Sequence, residues 1–173
     1  MKTMQFTFIL VLVVALFACE RNKIEPSDPK VLLTRSAEVF HNAISGNEGS
    51  ASDPFNITGV TIDGDSVFVT VSYSGGCRFH SFNVIWNEKF TKSFPPSTSV
   101  IVIHEDNDDV CEALITETFS FSLRELIGPW DFESVKIDII NGSLPESPFM
   151  VVWYPSDINV HNIVIPQGDE CQV

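Results

Sequence analysis

Ile57-Thr58-Gly59-Val60-Thr61-Ile62-Asp63-Gly64-Asp65-Ser66-Val67-Phe68-Val69-Thr70-Val71-Ser72-Tyr73 is the stretch that decides the fold. Val67, Val69, Val71 and Tyr73 fall on one side of an extended chain and Phe68 on the other, the period of two that marks a strand. Ile57 to Ile62 reads as a second strand. Asp63-Gly64-Asp65 between them reads as a hairpin turn, because Asp-Gly supplies the positive φ that such turns need.

The same period runs on downstream. Arg78 to Asn87 is a strand with His80, Phe82, Val84 and Trp86 on one face and Phe79 and Ile85 on the other. Glu88 to Ser97 is a loop closed by Pro95-Pro96. Thr98 to His104 is apolar on both faces, which predicts a central strand. Cys111 to Phe121 puts Ala113, Ile115, Phe119 and Phe121 on one face. Leu123 to Ile127 predicts a single helical turn before Gly128-Pro129. Ser134 to Ile140 is a strand stopped by Asn141-Gly142, Phe149 to Tyr154 another between Pro148 and Pro155, and Asn162 to Ile165 an eighth. Upstream, Leu32, Leu33, Ser36, Val39, Phe40 and Ala43 fall near helical spacing, so Val31 to Ile44 is expected as a helix stopped by Gly46 and Gly49, with a strand the alternative that Thr34 and Val39 leave open. The expectation is an all-β fold: a β-sandwich, or a distorted barrel, of about 7–8 mostly antiparallel strands with a short N-terminal helix.

The 173 residues suit one domain. The 14 Phe and the scarce Lys favour strands over surface helices. A formal charge of -13 argues against nucleic acid, whose phosphates attract Lys and Arg. It would also be repelled by anionic lipid head groups.

Lys2 and the apolar run Phe6 to Phe17 form an export signal, the run being too short to span a bilayer. It ends in Leu16-Phe17-Ala18-Cys19, which resembles the lipobox of bacterial, Bacteroidetes-like lipoproteins. That resemblance implies cleavage before Cys19 and acylation of its thiol. It gives a signal peptide over 1–18 and a lipidated Cys at the head of a flexible tether over 19–30, while length and strand pattern give a single β-sandwich over 31–173. Glu20 to Lys30 contains Pro26 and Pro29 and has little apolar surface with which to order itself. The implied location is the bacterial cell envelope, anchored to a membrane, the outer one expected, facing the periplasm or the cell surface.

Chemistry concentrates in Ser74-Gly75-Gly76-Cys77-Arg78-Phe79-His80 and His104-Glu105-Asp106-Asn107-Asp108-Asp109-Val110-Cys111-Glu112. If the strands after Gly76, before Glu105 and after Cys111 run up, down and up, all these residues meet at one end of the sheet. Three readings of that end are open. A Cys77–Cys111 disulfide suits an oxidising compartment and would stabilise the fold by roughly 3–4 kcal/mol. It has a difficulty: two strand spacings are about 9.6 Å, and a disulfide spans at most about 7 Å between Cα atoms. Either the loops fold over the strand end, or the two strands lie in facing sheets. The second reading is a zinc site of Cys77, His80, His104 and Cys111, sulfur and nitrogen ligands suiting tetrahedral zinc. The third is a calcium or ligand site using Asp106, Asp108, Asp109 and Glu112, set against a plain solvated acidic turn. Cys171 is the expected odd thiol.

No Gly-x-Ser-x-Gly elbow, His-Glu-x-x-His or phosphate loop is present. The set Gly75-Gly76-Cys77-x-x-His80-x-Phe82, His104, Cys111-Glu112-Ala113 and Phe121-x-Leu123 resembles a group of small bacterial lipoproteins of unknown function, and carries none over. The expected function is a non-enzymatic envelope β-sandwich that binds or scaffolds, with a protein or glycan partner and no cofactor. The alternative is a thiol- or metal-dependent enzyme, or a metal-binding protein, at Cys77, His80, His104 and Cys111.

Overall fold

The computed structural model describes residues 29–46, 51–129 and 132–155. The expected signal, Cys19, most of the expected tether, the expected strand Asn162 to Ile165 and Cys171 lie outside them. The described residues form an all-β fold of two facing sheets and no closed barrel, with two short helices. A five-stranded sheet has the order β1-β4-β5-β7-β8: β1 Lys30–Arg35, β4 Ser81–Trp86, β5 Ser97–Glu105, β7 Val135–Asn141 and β8 Leu144–Trp153. A three-stranded sheet has the order β2-β3-β6: β2 Asn56–Asp63, β3 Ser66–Gly75 and β6 Ala113–Ser122. Four strand pairs are antiparallel, while β1–β4 and β5–β7 are parallel.

The β2–β3 hairpin explains its own stability. Asp63 pairs with Ser66, so Gly64-Asp65 is the two-residue turn, and Gly64 takes φ 56°. Asp65 then ties the turn down. Its carboxylate accepts the Trp153 indole N–H at 3.0 Å, and its backbone carbonyl accepts Leu123 N–H at 2.8 Å. Leu123 opens α2, Leu123–Ile127, the helical turn expected there.

Between the sheets lies one core. Val67, Val69 and Val71 from β3 meet Phe82 and Val84 from β4, Val100 and Val102 from β5, and Ile137 and Ile139 from β7, all with no measurable exposure. Each such aliphatic side chain stabilises the fold by about 1.5–3 kcal/mol relative to exposure.

The expected helix over Val31 to Ile44 is corrected. The chain forms β1, is capped at Ser36, and only then enters α1, Ala37–Ile44. The two halves bury against opposite faces of one sheet. Val31 and Leu33 pack into the core between the sheets, whereas Phe40 and Ala43 cover its outer face over Ile85, Ile101 and Ile140. A single helix cannot reach both faces. This also explains why β5 is buried on both sides: α1 roofs the side that the second sheet does not reach. Lys30, assigned to the tether, is the first residue of β1 and pairs with Ser81. The last strand is longer than expected, reaching back through Pro148 and Pro145 to Leu144. An edge strand tolerates prolines because its outer N–H groups have no ladder to join.

Candidate functional site

Strand directions decide what meets at each end. Gly75 ends β3, Ser81 starts β4, Glu105 ends β5 and Ala113 starts β6, all at one end, where Lys30 also enters. The loops there hold Cys77, His80 and the acidic run.

Cys77 and Cys111 are joined in a disulfide with Cα atoms 5.9 Å apart. The register explains the fit. Ser74 faces Leu114 and Gly75 faces Ala113 across β3–β6. Two further steps of the same antiparallel ladder set Cys77 opposite Cys111. The two-strand gap disappears because Cys77 follows β3, the direct neighbour of β6, while β4 and β5 belong to the facing sheet. Neither Cys lies within a strand: β4 begins at Ser81 and β6 at Ala113, later than the sequence reading put them.

Asp109 is the hub beneath the bond. Its Oδ2 accepts the backbone N–H groups of Gly76, Cys77 and Arg78, each at 2.9 Å, and His80 Nε2 at 3.2 Å. Its Oδ1 accepts Cys111 N–H at 2.9 Å. The side chain is wholly removed from solvent. Donors on every side, Cys111 N–H foremost, hold the carboxyl far below the usual carboxylate range despite the opposing effect of burial. Three successive amides can turn toward one oxygen because Gly76 takes φ 114°, a region closed to most side chains.

Ionised Asp109 is an acceptor, so His80 Nε2 carries the proton of their contact. His80 Nδ1 and His104 Nε2 share a proton across 2.8 Å. His104 Nδ1 is buried with no hydrogen-bond partner of good geometry among the described residues. Burial, and next the neighbouring His80, lower the pKa of His104, outweighing Asp53 and Asp106. The imidazoles sit in an aromatic stack: Tyr73 on His80 at 4.4 Å and Phe82 on His104 at 4.9 Å between ring centroids. The Tyr73 hydroxyl donates to Glu117, and burial, then that carboxylate, push its pKa above the ordinary phenol range.

The four-ligand zinc set is not gathered round one point. Among the described residues, the cluster whose donor atoms lie within 4.8 Å of one another is Cys77, Asp109 and Cys111, and neither imidazole belongs to it. Both ring nitrogens of His80 are already engaged, and the two sulfurs are bonded to each other. The acidic run instead borders an open hollow of about 680 Å³ with Asp53, Arg78 and Phe79. Two of its carboxylates cap backbone: Asp53 accepts Asp106 N–H and Asp106 accepts Asp108 N–H, both at 2.8 Å. Glu112 is exposed beyond Cys111. Sequence reasoning named Asp109 without seeing its role, and it missed Tyr73, Asp53 and Ser52, whose hydroxyl accepts His104 N–H at 3.0 Å. A signal existed for Asp109: an Asp two residues before Cys111 can cap that residue's own N–H.

The fold and site thus define an all-β, two-sheet domain with one end clamped by a disulfide and a buried Asp–His–His chain. No family model matches the chain, and no curated protein sequence matches it. Among solved structures, it is similar to a DUF1344 protein of unknown function from Bacteroides vulgatus, with 12% identity, a TM-score of 0.49, and coverage of 78% of this chain and 61% of that one. A NigD-like immunity protein from Bacteroides caccae gives 10% identity, a TM-score of 0.49, and coverage of 82% and 61%. A lipoprotein candidate from Bacteroides fragilis gives 9% identity, a TM-score of 0.42, and coverage of 78% and 74%. The matched region spans 61% of the length of the first of these structures.

Proposed function

We propose that this chain is a lipid-anchored envelope lipoprotein whose β-sandwich works by binding or scaffolding and not by catalysis. One observation carries the second half of that reading. The reactive groups of the disulfide end are engaged with one another: the thiols in a disulfide, Asp109 with four backbone N–H groups and His80, and His80 with both partners. Such an arrangement locks two loops together. The first half rests on Leu16-Phe17-Ala18-Cys19. An anchor there would hold the acidic, disulfide-bonded end nearest the membrane, since the domain begins at that end with Lys30. Cys19→Ala tests it. The variant should stay uncleaved or leave the detergent phase when cells are partitioned, and lipid-labelled mature protein from that variant would overturn the anchor.

The alternative, a thiol- or metal-dependent function at Cys77, His80, His104 and Cys111, has one observation in its favour: two sulfurs and an Asp109 oxygen lie within 4.8 Å. Metal analysis beside mass spectrometry of unreduced peptides separates the two. Stoichiometric zinc with both thiols free selects the alternative, and linked Cys77 and Cys111 peptides without metal select the first.

A further inference from the structure

The outward face of the β2-β3-β6 sheet departs from the composition of the rest of the surface. Across the register, Phe68 lies between Thr61 and Ser120, and the next outward row sets Thr70 between Gly59 and Thr118. Two charged residues occur in the three strands. Asp63 stands at the hairpin end, and Glu117 turns inward to Tyr73. Soluble surfaces place a charge at roughly one position in three or four, and this chain has 23 acidic residues to distribute. Strand propensity accounts for the Thr residues, but Ser is not among the strand formers. Apart from Asp63 at its hairpin end and Leu114, 77% exposed, at the other, the face is therefore hydroxyl-lined and uncharged on a strongly acidic molecule, with Phe68 38% exposed on its middle strand.

We propose that this face binds a neutral glycan, one sugar ring stacked on Phe68 and its hydroxyl groups bonded to Thr61, Thr118 and Ser120. The proposal rests on the reading of the domain as a binding module, and names its ligand class. The chemistry matches on three counts. Ser and Thr hydroxyls both donate and accept, as sugar hydroxyls do. Thr70 and Thr118 already show the geometry, with their hydroxyls 2.9 Å apart. An aromatic ring offers its face to the C–H side of a sugar at little entropic cost. Charge disfavours anionic ligands on a molecule of net charge -13. Area disfavours a protein. Three strands about 4.8 Å apart, 8 to 10 residues long at about 3.4 Å per residue, give a face of roughly 450 Å². A stable protein interface needs about 800 Å² from each partner.

Affinity electrophoresis and titration calorimetry of the full mature chain test this, with neutral glucans, mannan and xylan and their hexasaccharides as probes. At least one probe should bind the parent. Phe68→Ala should weaken it by about tenfold or more. Thr118→Glu, which adds a charge without touching the core, should weaken it as well. Phe94→Ala removes a ring that is 93% exposed on the β4–β5 loop and should change nothing. Binding by none of the probes overturns the proposal. So does equal loss from Phe94→Ala, retention in both face variants, or self-association that Phe68→Ala abolishes without any sugar binding. Metal analysis and the linked Cys77 and Cys111 peptides, which test the binding reading against the thiol or metal one, are indifferent to these outcomes, so failure here and failure of that reading are distinguishable.

Discussion

At the scale of the residue, Gly75 shows how tightly the disulfide end is packed. A Cβ there would stand 2.6 Å from His80 Nε2 and 3.2 Å from Asp109 Oδ2. Gly75→Ala must push the imidazole off the carboxylate and should cost about 1–3 kcal/mol, read from the urea midpoint. Asp109→Asn turns an acceptor into a donor facing other donors, so its midpoint should fall further than that of Gly75→Ala. His104 makes a prediction about pH. Its folded pKa is lowered, so below about pH 6.5, the ordinary histidine value, the unfolded chain takes up a proton more readily than the folded one. Stability contributed by neutral His104 is then complete above that pH and declines beneath it. Asp109 has a lowered pKa too, but as an acid its contribution persists until the pH drops below about 3.9. Urea midpoints should therefore fall between about pH 7 and pH 5, and His104→Phe, which keeps the stack on Phe82, should flatten that fall. An unchanged slope in the variant would place its source elsewhere.

At the scale of the element, strands were legible where alternation and turn chemistry agreed. Val67, Val69, Val71 and Tyr73 are all buried and Phe68 is exposed, as period two requires. The first element was not legible, because β1 and α1 are too short for either period to assert itself and their apolar residues serve two different cores. What separates them is Ser36, whose hydroxyl accepts Val39 N–H at 3.2 Å. Ser36→Ala should cost about 1 kcal/mol in chemical unfolding, the usual loss for a cap. The site was half legible. Direction-counting along the chain brought Cys77, His80, His104 and Cys111 to one end. It did not reveal that β3 and β6 are adjacent, because Cys77 was counted with the strand it precedes and not the strand it follows. Sheet partnership is a long-range choice made by burial of whole faces, and local pattern does not encode it. The inward turn of His80 and His104 was visible in the alternation of His80 with Phe82. Their contact with each other and with Asp109 depended on that partnership.

At the scale of the whole molecule, two devices hold the same end, and they should fail separately. The disulfide closes a loop of 34 residues between β3 and β6. In the chain-entropy account this removes about 3–4 kcal/mol of freedom from the unfolded chain. Asp109 joins the same loops without a covalent bond, through amides of residues 76–78 and 111. Beneath both, the β3–β6 ladder runs unbroken from Ser66↔Ser122 to Gly75↔Ala113. Loss of the covalent link therefore leaves the native contacts in place and raises only the entropy of the competitor. Cys77→Ser, Cys111→Ser and the double variant should each lose about 3–4 kcal/mol, with no further loss in the double. Each should keep the parent's near-ultraviolet circular dichroism at neutral pH. Asp109→Asn combined with Cys77→Ser should be additive if the two devices act on different states, the bond on the unfolded chain and the carboxylate on the folded one. Marked non-additivity, or collapse of the aromatic signal on reduction alone, would mean that the bond positions Asp109 and that the end is one device and not two.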